Sequence, residues 1–196
     1  MPFTRFILPV AQPRLWGIFG IAAVLIAFQI IDGILPNDLG SSCGLTPSAL
    51  RSEPWRLITW CLVQAGWIQA AGNAVGLGVG LTMTARCSGK WPTWIGLAGA
   101  VVLPALWAWH DMDPDASLVG ASTLLYGALG MGSVAWLKMR DELTYTERSD
   151  WVAGFAALLL VGFALSIPLL LEAPARWIHV IGFTWGFGVV LFFPRT

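Results

Sequence analysis

Ser122 stands in the run Gly120-Ala121-Ser122-Thr123-Leu124-Leu125-Tyr126-Gly127, at the mouth of a long apolar stretch. A second apolar stretch contains His179-Val180-Ile181-Gly182-Phe183-Thr184-Trp185-Gly186. A serine hydroxyl is a weak nucleophile until a base accepts its proton. An imidazole within reach would supply that base. An ionisable group inside an apolar segment is costly and points to function, and the chain has only 2 histidines. Acyl transfer through serine also needs donors for the oxyanion. Gln69 and Asn73 are four residues apart, which places both on one helix face, and each carries an amide NH2. Gln64 is set roughly 140° around the same helix by the 3.6 period, so it is the weaker candidate.

The elements that must position these groups follow from the apolar pattern. The chain is 57% hydrophobic and 11% charged, with a mean hydropathy of +0.72. A soluble domain carries about twice that charge. The apolar residues form blocks long enough to cross a bilayer, which takes about 20 helical residues. Bounded by their charges, the blocks predict spans at 15–35, 55–85, 91–109, 117–137, 151–171 and 177–194. The connections are short, so residues 1–196 read as one all-α, polytopic membrane domain of six helices. The first segment lacks a small-residue cleavage site and reads as an uncleaved span.

Lysine and arginine set the orientation. With the N-terminus inside, Arg5, Arg14, Arg86, Lys90, Lys138, Arg140, Arg148 and Arg195 are cytoplasmic, and only Arg51, Arg56 and Arg176 are outside. Residues 36–54, 110–116 and 172–176 are then outer loops, and both termini are cytoplasmic. Ser122 and His179 each lie near the outer start of their helices, at similar depth. Ser122 and Tyr126 share one face. His179, Gly182 and Gly186 share another, and glycine lets helices approach closely. The net charge is +0, which gives no footprint for nucleic acid. Cys43, Cys61 and Cys87 fall at different depths and set no disulfide framework. No metal cluster or nucleotide motif is visible, so no cofactor is expected. His110, beside Asp111, reads as an interfacial residue.

Each of these features has a plainer reading. An intramembrane serine usually bonds a carbonyl of its own helix. Amide pairs often join helices. Taken in order, however, the features resemble the rhomboid family of intramembrane serine proteases. The resemblance runs from about Glu53 to Gly186. Glu53-Pro54-Trp55-Arg56 is similar to the tryptophan–arginine motif that ends the first outer loop. Asn73 matches the second-span asparagine. Gly120-Ala121-Ser122 resembles the nucleophile motif, with Tyr126 where the family stacks a tyrosine on the base. His179, Gly182 and Gly186 resemble the sixth-span motif. The small size and short first loop look most like the rhombosortase subgroup, which processes proteins with a C-terminal hydrophobic tail.

The resemblance implies a Ser122–His179 dyad, supported by Gly120, Gln69, Asn73 and Tyr126, with Trp55, Arg56, Gly182 and Gly186 in packing roles. It implies peptide-bond hydrolysis or acyl transfer on membrane-anchored proteins near the non-cytoplasmic face of a bacterial inner membrane. Two positions depart from the family. Gln64 and Gln69 stand where histidines are common, and Thr123 stands where glycine follows the serine. These departures support a rival reading, a catalytically silent relative that binds transmembrane segments.

Overall fold

The computed structural model describes residues 16–34, 38–139 and 173–193. The expected fifth span, 151–171, lies outside the described residues, as do Arg5, Arg14, Arg140, Arg148 and Arg195. The described chain is mostly helical. Among the described residues the β-pairing is a single antiparallel bridge between Leu45 and Leu118.

Five long helices carry the architecture: α1 (Trp16–Ile34), α4 (Trp67–Ser88), α5 (Lys90–Asp111), α6 (Ser122–Met139) and α7 (Ala173–Phe192). Two short ones, α2 (Leu39–Cys43) and α3 (Arg56–Thr59), lie between α1 and α4 with a 3₁₀ turn at Pro47–Ala49. By length and composition, α5 is the one described helix that could cross a membrane unaided. Gly20–Ile34 and Arg176–Phe192 are shorter apolar stretches.

The block read as a span over 55–85 is not one helix. Residues 56–59 turn once, 60–66 are irregular, and α4 then runs from Trp67 to Ser88. Side chains hold this break in place. The Thr59 hydroxyl donates to the Cys43 carbonyl at 2.9 Å, and the Gln64 amide donates to the Cys61 carbonyl at 3.0 Å. Hydropathy cannot detect a loop whose polar backbone is satisfied inside the protein. The block over 117–137 differs in the same way. Residues 116–121 approach the helix without being part of it, and α6 begins at Ser122. Leu118 exchanges two backbone hydrogen bonds with Leu45, at 2.9 and 3.0 Å. Gly120 then turns at φ +126°, a region open to glycine and strained for other residues.

Small residues bring the helices together. A Cβ at Gly186 would sit 2.1 Å from the Gly127 carbonyl oxygen, and one at Gly130 would sit 2.1 Å from that of Phe183. The α6 and α7 backbones therefore touch along a glycine seam, the packing mode of helices that have little hydrophobic drive between them in lipid. On the other flank of α6, a Cβ at Gly80 of α4 would meet the Ala128 methyl at 2.9 Å. At the far end of the seam, Lys138 of α6 donates to the Val190, Leu191 and Phe193 carbonyls at 2.6, 3.1 and 3.1 Å. It thereby caps the C-terminus of α7, where a cation also complements the helix dipole. On α5, Gly99 leaves room for Trp185, whose indole N–H donates to the Ile95 carbonyl at 3.0 Å.

Candidate active site

Ser122 is the first residue of α6 and His179 lies on the second turn of α7. The glycine seam fixes how these two helix faces meet. One turn beyond His179, a Cβ at Gly182 would be 2.8 Å from the Thr123 carbonyl oxygen. With the backbones this close, Ser122 Oγ lies 2.8 Å from His179 Nε2. The pair is secluded, with Ser122 5% and His179 3% exposed.

Tyr126, one helical turn after Ser122, stacks on the His179 ring with centroids 4.5 Å apart and planes inclined by 24°. The stack fixes the plane of the imidazole. For His179 to accept the serine proton at Nε2, its neutral ring must carry hydrogen on Nδ1. Nδ1 is buried with no hydrogen-bond partner, so no acidic third member orients the base among the described residues.

The groups around the start of α6 form a second layer. Gln64 is the hub. Its Oε1 accepts from Asn73 Nδ2 at 2.7 Å and from the Ala121 backbone N–H at 3.2 Å. Its Nε2 donates to the Cys61 carbonyl. Gln64 therefore ties the loop 60–66, α4 and the residue before Ser122 into one unit. It does not sit on α4 at all, so the placement 140° around from Gln69 is corrected here. The helix period did not apply, because the chain is still irregular at residue 64.

Gln69 lies on α4 with its amide oriented. Its Oε1 accepts the Ala65 N–H at 2.6 Å, and its Nε2 lies over Gly120, 2.8 Å from where a Cβ there would be. A side chain at 120 would collide with this amide, a second reason for glycine beside its positive φ. Asn73 is fully buried and commits an N–H to Gln64, while its Oδ1 has no partner. The Thr123 hydroxyl is also buried and without a partner. Ser122 opens the helix, so its own N–H precedes the intrahelical ladder. The Gln69 NH2 lies over Gly120, two residues before Ser122.

Arg56 and Trp55 act at a distance from the pair. The buried Arg56 guanidinium bonds Glu53 and donates to the Ser41 and Gly44 carbonyls, each at 2.7 Å. It ties residues 41–44 to residues 53–56. Trp55 is half exposed, and its indole N–H donates to the Ser42 carbonyl at 3.4 Å. His110 takes no part in this cluster and contacts Asp111 at 2.9 Å on the surface.

The family model described as Rhomboid domain matches residues 51–196. No curated protein and no solved structure matches the chain.

Proposed function

This chain belongs to the rhomboid family of intramembrane serine proteases and is an integral membrane protein, and on that premise we propose that it is an active protease using a Ser122–His179 dyad. The observation that carries the proposal is the 2.8 Å contact between Oγ and Nε2, buried and stacked beneath Tyr126. A hydroxyl donating into a base of this kind is the arrangement that activates serine.

The chemistry follows from the geometry. Ser122 Oγ attacks the scissile carbonyl carbon while its proton passes to His179 Nε2. The charge that develops on the carbonyl oxygen is held by the Ser122 N–H and the Gln69 NH2, as oxyanion donors. His179 then returns the proton to the leaving amine, which frees the C-terminal fragment and leaves an ester on Ser122. Water, or another nucleophile in a transfer reaction, attacks that ester with His179 again as base. Asn73 acts through Gln64, holding the loop that carries Gly120 and Ala121.

The substrates in this reading are membrane-anchored proteins with a transmembrane segment or a C-terminal hydrophobic tail. The small size and short outer segment support the rhombosortase-like variant of that reading. The lysine and arginine distribution supports six spans with both termini cytoplasmic and the dyad opening toward the outer face of a bacterial inner membrane. A second reading, a silent relative that binds transmembrane segments, draws on Gln64, Gln69 and Thr123, the last with an unpartnered buried hydroxyl.

A fluorophosphonate probe on the membrane-embedded protein separates the two readings. The dyad predicts labelling of Ser122, lost in Ser122→Ala and His179→Ala. Cleavage of a co-expressed tail-anchored substrate should be lost in the same variants. The double variant should be no worse than either single one, since groups acting as one unit are non-additive. Cleavage that survives in purified Ser122→Ala would exclude a serine mechanism.

A further inference from the structure

Two polar groups at the dyad are buried and, among the described residues, without a partner. One is the hydroxyl of Thr123, which is 0% exposed, and the other is Nδ1 of His179. A buried polar group left unpaired is costly and calls for an explanation. The two are chemically complementary. Nδ1 carries the hydrogen of the neutral ring when Nε2 faces Ser122, and a hydroxyl oxygen can accept it. Thr123 directly follows the nucleophile, yet the steps above give it no task.

The packing puts Thr123 on the face of α6 that meets α7. A Cβ at Gly182 would lie 2.8 Å from the Thr123 carbonyl oxygen and 3.6 Å from its Cα, and one at Gly186 would press on the Gly127 carbonyl in the same way. The two helices run in the same direction, since the dyad joins them near their starts and Lys138, near the end of α6, caps the end of α7. Side chains lean toward the N-terminus of their helix. From the level of Gly182 the Thr123 side chain therefore leans toward that of His179, one turn earlier on α7.

The need for a partner grows during the reaction. When Nε2 takes the serine proton, the ring becomes a cation with two N–H donors. An unpaired donor on a buried charged group costs more than one on a neutral group. Threonine in a helix divides between two χ1 rotamers, so Oγ1 can change direction while the backbone stays still. We propose that Thr123 is a positioning residue for His179. Its hydroxyl turns to accept the Nδ1–H as the imidazole gains the serine proton, and it holds the ring where that proton can pass on to the leaving amine. No covalent bond changes at Thr123. The proposal rests on the protease reading above.

The test uses the full chain in lipid nanodiscs and a fluorophosphonate that modifies Ser122. Thr123→Val keeps the branched shape and removes the hydroxyl, whereas Thr123→Ser keeps the hydroxyl. In Thr123→Val the maximal labelling rate should fall by about 10- to 100-fold, the range for a hydrogen bond to a charged group. The half-saturating probe concentration should not change, and Thr123→Ser should label nearly as fast as wild type. The melting temperature of Thr123→Val should hold, because the resting hydroxyl has no bond to lose. The second readout is the His179 Nδ1–H proton in 15N-histidine-labelled protein, where His110→Gln removes the other of the 2 histidines. That resonance should move downfield when the probe modifies Ser122 in wild type and in Thr123→Ser, and stay in place in Thr123→Val. If Thr123→Val does not fold, Thr123→Gly, with the residue common in the family, takes its place in both readouts. An undiminished labelling rate without the hydroxyl, or an Nδ1–H that behaves alike with and without it, overturns the positioning role and leaves the protease reading standing. A rate lost together with a lower melting temperature assigns the hydroxyl to packing and overturns the role as well. Wild type as silent as Ser122→Ala overturns the protease reading and the positioning role with it.

Discussion

Replacing Gly186 by alanine tests whether the glycine seam sets the chemistry. Gly186 lies two turns beyond His179 on the same face of α7. A Cβ there would be 2.1 Å from the Gly127 carbonyl oxygen, and ordinary contact begins at 3.4 Å. The obstructing atom is backbone, so it cannot swing aside. The helices must part or slide by about 1.3 Å to relieve the overlap. Passed along α7 to His179, such a displacement would stretch the 2.8 Å contact with Ser122 beyond hydrogen-bond range. Misplacing a catalytic group by about 1 Å can cost about 100-fold in rate. Gly186→Ala should therefore lower both kcat and the fluorophosphonate labelling rate by about that factor. The control is Gly188→Ala on the same helix, where a Cβ would meet nothing within 4 Å, and it should keep the wild-type rate. Cleavage of a tail-anchored substrate, labelling rate and thermal unfolding are measured together. Full kcat in Gly186→Ala, with or without a lower melting temperature, would refute the link between seam and dyad. An equal loss in Gly188→Ala would refute it as well.

The two glutamines should separate cleanly in the same assays. Gln69→Ala should lower kcat by about 10- to 1,000-fold, by analogy with other oxyanion donors, and leave the melting temperature nearly unchanged, whereas Gln69→His should retain activity through its ring N–H. A destabilised Gln69→Ala with full kcat would retire the oxyanion role. Gln64→Leu should show the opposite balance. It strips the acceptor from Asn73 Nδ2 and from the Ala121 N–H, and leaving such groups unpaired costs about 1–3 kcal/mol, seen as a lower unfolding temperature. An unchanged melting temperature would show that the Gln64 hub does not hold the loop.

Much of the site was legible because helices have a fixed period. Ser122 with Tyr126, and His179 with Gly182 and Gly186, could be assigned to faces from their numbers alone. The glycines marked the faces able to come close, and the charge boundaries marked the apolar blocks. What spacing could not supply was the conformation of the segments leading into those helices. Residues 60–66 and 116–121 are as apolar as their neighbours, yet they fold as loop. Their backbone groups find partners far away in sequence, Leu118 on Leu45, Gly120 on Trp60 and Ala121 on Gln64. No local pattern encodes such pairings. For the same reason Gln64 read as a poorly placed helix residue and proves to be a buried junction, while Arg56 read as part of a motif and proves to tie residues 41–44 to residues 53–56. The sequence by itself determined which residue types could do chemistry and which helix faces present them. Only the tertiary structure decided that the serine and the imidazole meet at 2.8 Å, because that distance depends on two backbones in contact and on long-range hydrogen bonds that fix where each helix begins.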